Sequence, residues 1–140
     1  MERPLYDFAT HARLPRGERF AASEFLILEG LFALYWPELR ELASAKVFVD
    51  ASDDVCLGRR QLRDVAERGR TPESVLAQFR QTVQPMAALY VSPTFKYADL
   101  FLSGEQPLPR SVDTVLKHVH RNFVAGVMPA PVRKGSPIGP

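Results

Sequence analysis

Three short apolar runs, each of strand length and each separated from the next by helix-forming sequence, constrain the fold most. Phe25-Leu26-Ile27-Leu28 closes on Glu29-Gly30, Lys46-Val47-Phe48-Val49 closes on Asp50, and Leu100-Phe101-Leu102 is the third. The first, closed by an acid and a glycine, reads as a strand buried on both faces, and the other two are strand candidates by length. Strands alternating with helices imply an open α/β sheet, mostly parallel, with helices on both faces. Such sheets bind ligands beyond the carboxyl ends of their strands, which here means near Glu29, Asp50 and the loop after Leu102.

The stretches between are legible as helices and breakers. Residues 1–22 hold Pro4, Pro15 and Gly17 and read mostly as loop. Residues 31–42 are helical in composition, with an interruption near Pro37. Ser52-Asp53-Asp54 is an N-cap signal for a helix from about Val55 to Arg68 that stops at Gly69. Thr71-Pro72-Glu73 restarts helix at once, with Thr as cap and Pro in the first turn. Val75, Leu76, Phe79 and Val83 form its apolar face, and Pro85 predicts a kink or end near Thr82–Val83. Ser111 is the expected cap of a last helix buried through Val112, Val115, Leu116, Val119 and Phe123. Residues 126–140, with four prolines and three glycines, read as a disordered tail, leaving residues 1–125 as one domain.

Composition narrows the function classes. A chain of 140 residues suits one domain, and a net charge of +2 supplies no global field for nucleic acid or membrane. No apolar run approaches the ~18 residues of a membrane span, and no basic region leads into an apolar stretch at the N-terminus. The lone Cys56 excludes an intrachain disulfide framework and a Cys-rich zinc site. A reducing, cytoplasmic compartment is the expectation.

Local charge is more informative. Fourteen of the eighteen cations are arginines, and five fall between Arg59 and Arg70 in Arg-Arg-x-x-Arg-Asp-x-x-x-Arg-Gly-Arg. Arginine suits planar, multidentate recognition of phosphate oxygens, and a helix ending in Arg-Gly-Arg before another helix start makes a hairpin able to close over a polyanion. A solvated helix face reads equally well from spacing, since Arg60–Asp64, Arg63–Glu67 and Asp64–Arg68 are all i,i+4 pairs, worth together about 1 kcal/mol. Tyr6-Asp7-Phe8-Ala9-Thr10-His11-Ala12-Arg13 pairs a ring that can stack on a base with an imidazole that can meet a base edge; an ordinary loop with a half-buried Tyr is the plainer reading. Glu29, an acid at a strand end, is a candidate Mg²⁺ ligand through water, or else a carboxylate paired with a nearby Lys or capping a helix. His118 and His120, two apart on a helix, do not face the same way.

Taken in order, these segments resemble the part of a uridine kinase that follows its P-loop, within the uridine kinase/phosphoribulokinase group of P-loop kinases. The resemblance runs from Pro4 to about Leu102. It is carried by Pro-x-Tyr-Asp-Phe-x-Thr-His-x-Arg at 4–13, Leu-Glu-Gly-Leu-Phe-Ala-Leu-Tyr at 28–35, Lys-Val-Phe-Val-Asp at 46–50 and the arginine run at 59–70. Gln78-Phe79, Val83-x-Pro-Met at 83–86 and Pro93-Thr94-x-Lys-Tyr-Ala-Asp at 93–99 complete it.

The resemblance implies phosphoryl transfer from ATP or GTP, with Mg²⁺, to the 5′-hydroxyl of uridine or cytidine. It implies that Tyr6 stacks on the pyrimidine, that His11 meets its edge, and that Arg60, Arg70 and Gln78 hold the nucleoside. Arg63 and Arg68 match lid arginines that approach the phosphates and the developing charge. Glu29 matches an acid of the Mg²⁺ shell, and the hairpin of about residues 53–83 matches a mobile lid.

Departures from the family pattern matter as much. No Gly-x-x-x-x-Gly-Lys-[Ser/Thr] run occurs in the 140 residues, and the acidic motif that supplies the catalytic base is absent as well. Ser103-Gly104-Glu105 stands where the family usually continues Pro-Arg-Gly. In the family the P-loop strand lies between the strands matching 25–28 and 45–49. The expected architecture is therefore an incomplete P-loop kinase-type sheet, poorly stable and inactive alone, or completed by a complementing kinase chain or a homo-oligomer. The alternative is a non-catalytic nucleoside- or phosphate-binding module or partner subunit. A generic nucleic-acid binder is opposed by the acids at Asp64 and Glu67.

Overall fold

The computed structural model describes residues 2–7, 12–19, 21 and 25–124. Among the described residues the fold is α/β, with one parallel strand pair and helices. The tail expected at 126–140, and His11, lie outside the described residues.

The N-terminal segment is more ordered than its breakers suggest. β1 (Glu2–Arg3) pairs antiparallel with β4 (Glu18–Arg19), and β2 (Tyr6–Asp7) with β3 (Ala12–Arg13). Pro4 lacks an N–H and interrupts the ladder between the two pairs, which the Leu14 N–H bridges by donating to the Leu5 carbonyl at 2.9 Å. Arg3 and Glu18 add an exposed ion pair.

Residues 25–29 are a correction to the sequence expectation. They form no strand, and Phe25, Leu26, Ile27 and Leu28 are all exposed, Ile27 by 89%. An apolar run becomes a strand only when a neighbour takes up its backbone hydrogen bonds, and no described strand lies beside this one. A turn over residues 31–35 follows, entered at Gly30 with φ +151°, and α1 (Pro37–Leu42) begins where the sequence suggested an interruption. Proline opens this helix because its missing N–H is not needed in a first turn.

β5 (Val47–Asp50) and β6 (Leu100–Ser103) run parallel, from Val47 opposite Leu100 to Asp50 opposite Ser103. Asp99 sets their register. Its Oδ2 accepts from the Lys46 N–H at 2.8 Å and pairs with Lys46 Nζ at 2.9 Å, while its own N–H donates to the Lys46 carbonyl at 2.8 Å.

Between these strands runs the helical hairpin. α2 (Asp53–Arg68) starts after Ser52 and ends at Gly69, whose φ of +61° is the left-handed cap that glycine adopts without strain. α3 (Pro72–Gln78) is capped by Thr71, whose Oγ1 accepts the Ser74 N–H at 3.2 Å. Val75 and Phe79 of its apolar face are buried, with Val75 wholly inaccessible. Pro85 neither ends nor visibly breaks the helical path. Two π-helical turns, Phe79–Val83 and Ala87–Val91, flank α4 (Gln84–Met86), and widened i→i−5 turns make room for a ring that an α-turn would clash with.

A 3-10 turn over Ser92–Tyr97 returns the chain to β6, and Arg40 ties α1 to it. Its guanidinium lies 3.8 Å from the Tyr97 ring centroid and donates to the carbonyls of Leu34 and Tyr35 at 2.9 and 2.7 Å. α5 (Leu108–Val124) starts three residues before the expected Ser111 cap, because Pro109 suits a first helical turn. Its Val115 and Val119 are half-buried, whereas Val112 and Leu116 are exposed, so its buried stripe is narrower than its periodicity suggests.

Candidate functional site

The arginine run is solvated in part, and two of its expected i,i+4 pairs form, but it is also more than a charged face. Asp64, near the C-terminus of α2, is completely buried and four guanidiniums converge on it. Oδ1 lies 3.1 Å from Arg63 Nε and 3.2 Å from Arg68 Nη1. Oδ2 lies 3.5 Å from both Arg60 Nε and Arg70 Nη1. Helical spacing brings in Arg60 and Arg68, one turn to either side. Arg63 turns to its sequence neighbour Asp64 rather than making the expected pair with Glu67.

Arg70 is delivered by the cap itself. The left-handed Gly69 reverses the chain, so that the Arg70 N–H donates to the Asp64 carbonyl at 3.2 Å while its side chain reaches the Asp64 carboxylate. Gln78 closes the arrangement from α3: its Oε1 accepts from Arg70 Nη1 at 2.6 Å and from Arg60 Nη2 at 3.0 Å. Arg70 Nη2 also donates to the Ser74 carbonyl at 3.2 Å. Five of the singled-out residues, Arg60, Arg63, Arg68, Arg70 and Gln78, therefore share one cluster at the turn between α2 and α3.

Electrostatics explain how a carboxylate survives there. Burial opposes its ionisation, but the hydrogen bond from Arg63 and the charges of Arg63, Arg68 and Arg60 outweigh that and hold its pKa below the ordinary value. Four positive charges against one negative leave an excess that suits a multiply charged anion. The four arginine side chains are 23–48% exposed, so an anion can approach the cluster from solvent.

The remaining candidates stand apart. Tyr6 sits in β2, half-exposed and engaged in contacts of its own. Glu29 is exposed just before Gly30, and among the described residues no three His, Cys, Asp or Glu side chains converge to hold a metal. His118 contacts Asn122 through Nε2 at 3.1 Å. Arg59, the fifth arginine, turns away from the cluster and donates to the Gly104 carbonyl at 2.9 Å.

The loop after β6 folds onto the carboxyl end of β5. The Gly104 N–H donates to the Asp50 carbonyl at 2.6 Å, and a Cβ on Gly104 would lie 3.3 Å from that oxygen. Glu105 accepts the Ser52 N–H at 2.8 Å, and hydrogen bonds from the Ser52 backbone and side chain lower its pKa; the Ser52 side chain does not itself cap α2. The arginine cluster is at the other end of this 16-residue helix, which rises about 24 Å, so it is not at the strand ends where α/β topology puts ligands.

Two features escaped sequence reasoning. Asp64 was visible only as an ion-pair partner, although a single acid enclosed by arginines at i−4, i−1 and i+4 is a signal of a shared carboxylate. The second is an aromatic cleft of about 250 Å³ lined by Phe32, Tyr35, Trp36 and Tyr90, with Tyr35 meeting Trp36 and Tyr90 edge to face at 5.1 and 6.0 Å. Nothing in helical or strand periodicity brings Tyr90 to residues 32–36.

Comparison with known proteins follows the same segments. A model of the Phosphoribulokinase / Uridine kinase family matches residues 1–106. The chain is 48% identical over 102 residues to a uridine kinase of Deinococcus deserti, covering 73% of this chain and 49% of that protein. It is 40% identical over 116 residues to a uridine kinase of Chloroflexus aurantiacus, covering 83% and 56%. To uridine-cytidine kinase A of Dictyostelium discoideum it is 44% identical over 113 residues, covering 81% of this chain and 21% of that protein. The chain spans about half the length of the bacterial relatives it matches. Among the described residues no helix is long and apolar enough to cross a membrane.

Proposed function

The chain belongs to the phosphoribulokinase / uridine kinase family, and from that premise we propose that it carries the nucleoside-holding half of a uridine or cytidine kinase. The convergence of Arg60, Arg63, Arg68, Arg70 and Gln78 at one helical turn is the observation that carries this reading. The reaction served is transfer of the γ-phosphate of ATP or GTP to the nucleoside 5′-hydroxyl.

In this reading Arg60, Arg70 and Gln78 face the sugar and base. Their mutual hydrogen bonds hold the donors in place before substrate arrives, which lowers the entropy lost on binding. Arg63 and Arg68 approach the transferring phosphoryl group, where fixed cations stabilise charge as it spreads over the equatorial oxygens. Tyr6 stacks on the pyrimidine and His11 meets its edge. The hairpin of residues 53–83 acts as the lid that excludes water. Glu29, a single exposed carboxylate, fits a Mg²⁺ that takes most of its ligands from water and phosphate; bound there, the ion would neutralise phosphate charge.

The 140 residues hold neither a P-loop motif nor the family's acidic base motif, so this chain binds nucleoside without turning over triphosphate in our reading. A cytoplasmic setting is consistent with that reaction. Titration calorimetry of uridine into the purified chain tests the reading. We expect saturable binding that Arg70→Ala and Gln78→Ala each weaken by about tenfold, the loss of one charge-assisted hydrogen bond. Absence of uridine binding in the folded wild-type chain would refute it.

A further inference from the structure

Asp64 has no role in the reading above, yet both groups of arginines meet on it. Its two oxygens divide them. Oδ1 holds Arg63 and Arg68, the pair read as phosphate-facing, at hydrogen-bond distance. Oδ2 faces Arg60 and Arg70, the pair read as nucleoside-facing, at 3.5 Å, and neither Oδ2 nor Arg60 Nε has a closer partner. Gln78 Oε1 supplies the tighter hold on that second pair.

We propose that Asp64 is the positioning residue of this site: one buried carboxylate that sets the geometry of both arginine pairs and so joins the nucleoside and phosphate halves. This rests on the assignment of the arginines under the proposed function. A ligand cannot reach Asp64, which is wholly inaccessible beneath partly exposed arginine side chains. Its action is indirect. Each guanidinium presents its donors in a rigid planar fork, so anchoring one edge inward fixes the direction of the other. Unanchored, a long arginine side chain loses rotamer freedom on every binding event.

Positioning and simple charge make opposite predictions, which allows a sharp test. Asp64→Asn removes a negative charge from beneath four positive ones at nearly constant shape. If Asp64 only dilutes the positive field, inorganic pyrophosphate should bind more tightly to Asp64→Asn. If it positions the arginines, pyrophosphate and uridine should each bind about tenfold more weakly by calorimetry, with the circular dichroism unchanged. Asp64→Glu keeps the charge but displaces the carboxylate by a methylene, and should fail to restore affinity. Gln78→Ala should weaken uridine alone.

Pyrophosphate binding that is unchanged or stronger in folded Asp64→Asn, or wild-type affinity in Asp64→Glu, overturns the proposal. Should Asp64→Asn fail to fold, guanidinium resonances of the unliganded wild-type chain decide the matter. Hindered rotation about Nε–Cζ in Arg63 and Arg68 supports positioning, and freely averaged signals overturn it. A wild-type chain that binds pyrophosphate but not uridine removes the nucleoside reading and with it the joining of two halves; loss of that pyrophosphate binding in Asp64→Asn then supports positioning of Arg63 and Arg68 alone. A wild-type chain that binds neither probe removes both.

Discussion

At the scale of single residues, Asp64 is where burial and charge compete most directly. A carboxylate without water is costly unless cations and hydrogen bonds replace it, and here they more than do so. Its folded-state pKa is lowered, so its contribution to stability is present above the ordinary carboxylate value and is lost as pH falls through the depressed one. Thermal melts across acidic pH should show this loss in the wild-type chain, and Asp64→Asn should show a smaller slope over the same window. An equal slope in both would mean that other acids govern acid unfolding. Sequence spacing already named the Arg60–Asp64 and Asp64–Arg68 pairs. It could not assign Arg63 to Asp64 rather than Glu67, because i,i+1 and i,i+4 partners compete and only side-chain burial selects between them.

At the scale of elements, the turn between α2 and α3 does more than connect. Gly69 in the left-handed conformation brings Arg70 back over Asp64, and Thr71 starts the helix that presents Gln78. Cap and site are thus the same structure. Thr71→Ala removes the acceptor for the Ser74 N–H and should cost about 1 kcal/mol in urea unfolding. Because α3 carries Gln78, the same variant should weaken uridine binding; a stability loss with unchanged uridine affinity would separate cap from site. The Gly69 stop and the Thr71 cap were legible from the sequence, but the bond at the start of α2 was not, because Glu105, distant along the chain, supplies it in place of the Ser52 side chain. The passage through Pro85 was not, since proline strictly forbids only the regular α-turn and two π-turns provide another path.

At the scale of the whole molecule, the described core is small. Val75, Phe79 and Leu102 are its buried apolar residues, while Phe25, Leu26, Ile27, Leu28 and Leu31 stand in solvent. A contiguous apolar run of this kind binds hydrophobic probes and promotes association. We expect the 140-residue chain to enhance the fluorescence of an anilinonaphthalene dye and to sediment as larger species with rising concentration. Leu26→Lys with Ile27→Lys should reduce both effects. A monomeric, dye-silent wild-type chain would show that the run is covered in solution.

What the amino-acid order determines here is local: that helices follow Ser52 and Thr71, that α2 stops at Gly69, that β5 and β6 are strands, and that arginines crowd one helix. These follow from periodicity, caps and breakers, which act over a few residues. Tertiary structure decided the rest. Whether residues 25–28 become a strand depends on a neighbour to pair with, and whether four arginines become a site depends on one carboxylate losing its water. Pairing and desolvation are properties of what surrounds a residue in space, and order along the chain does not contain them.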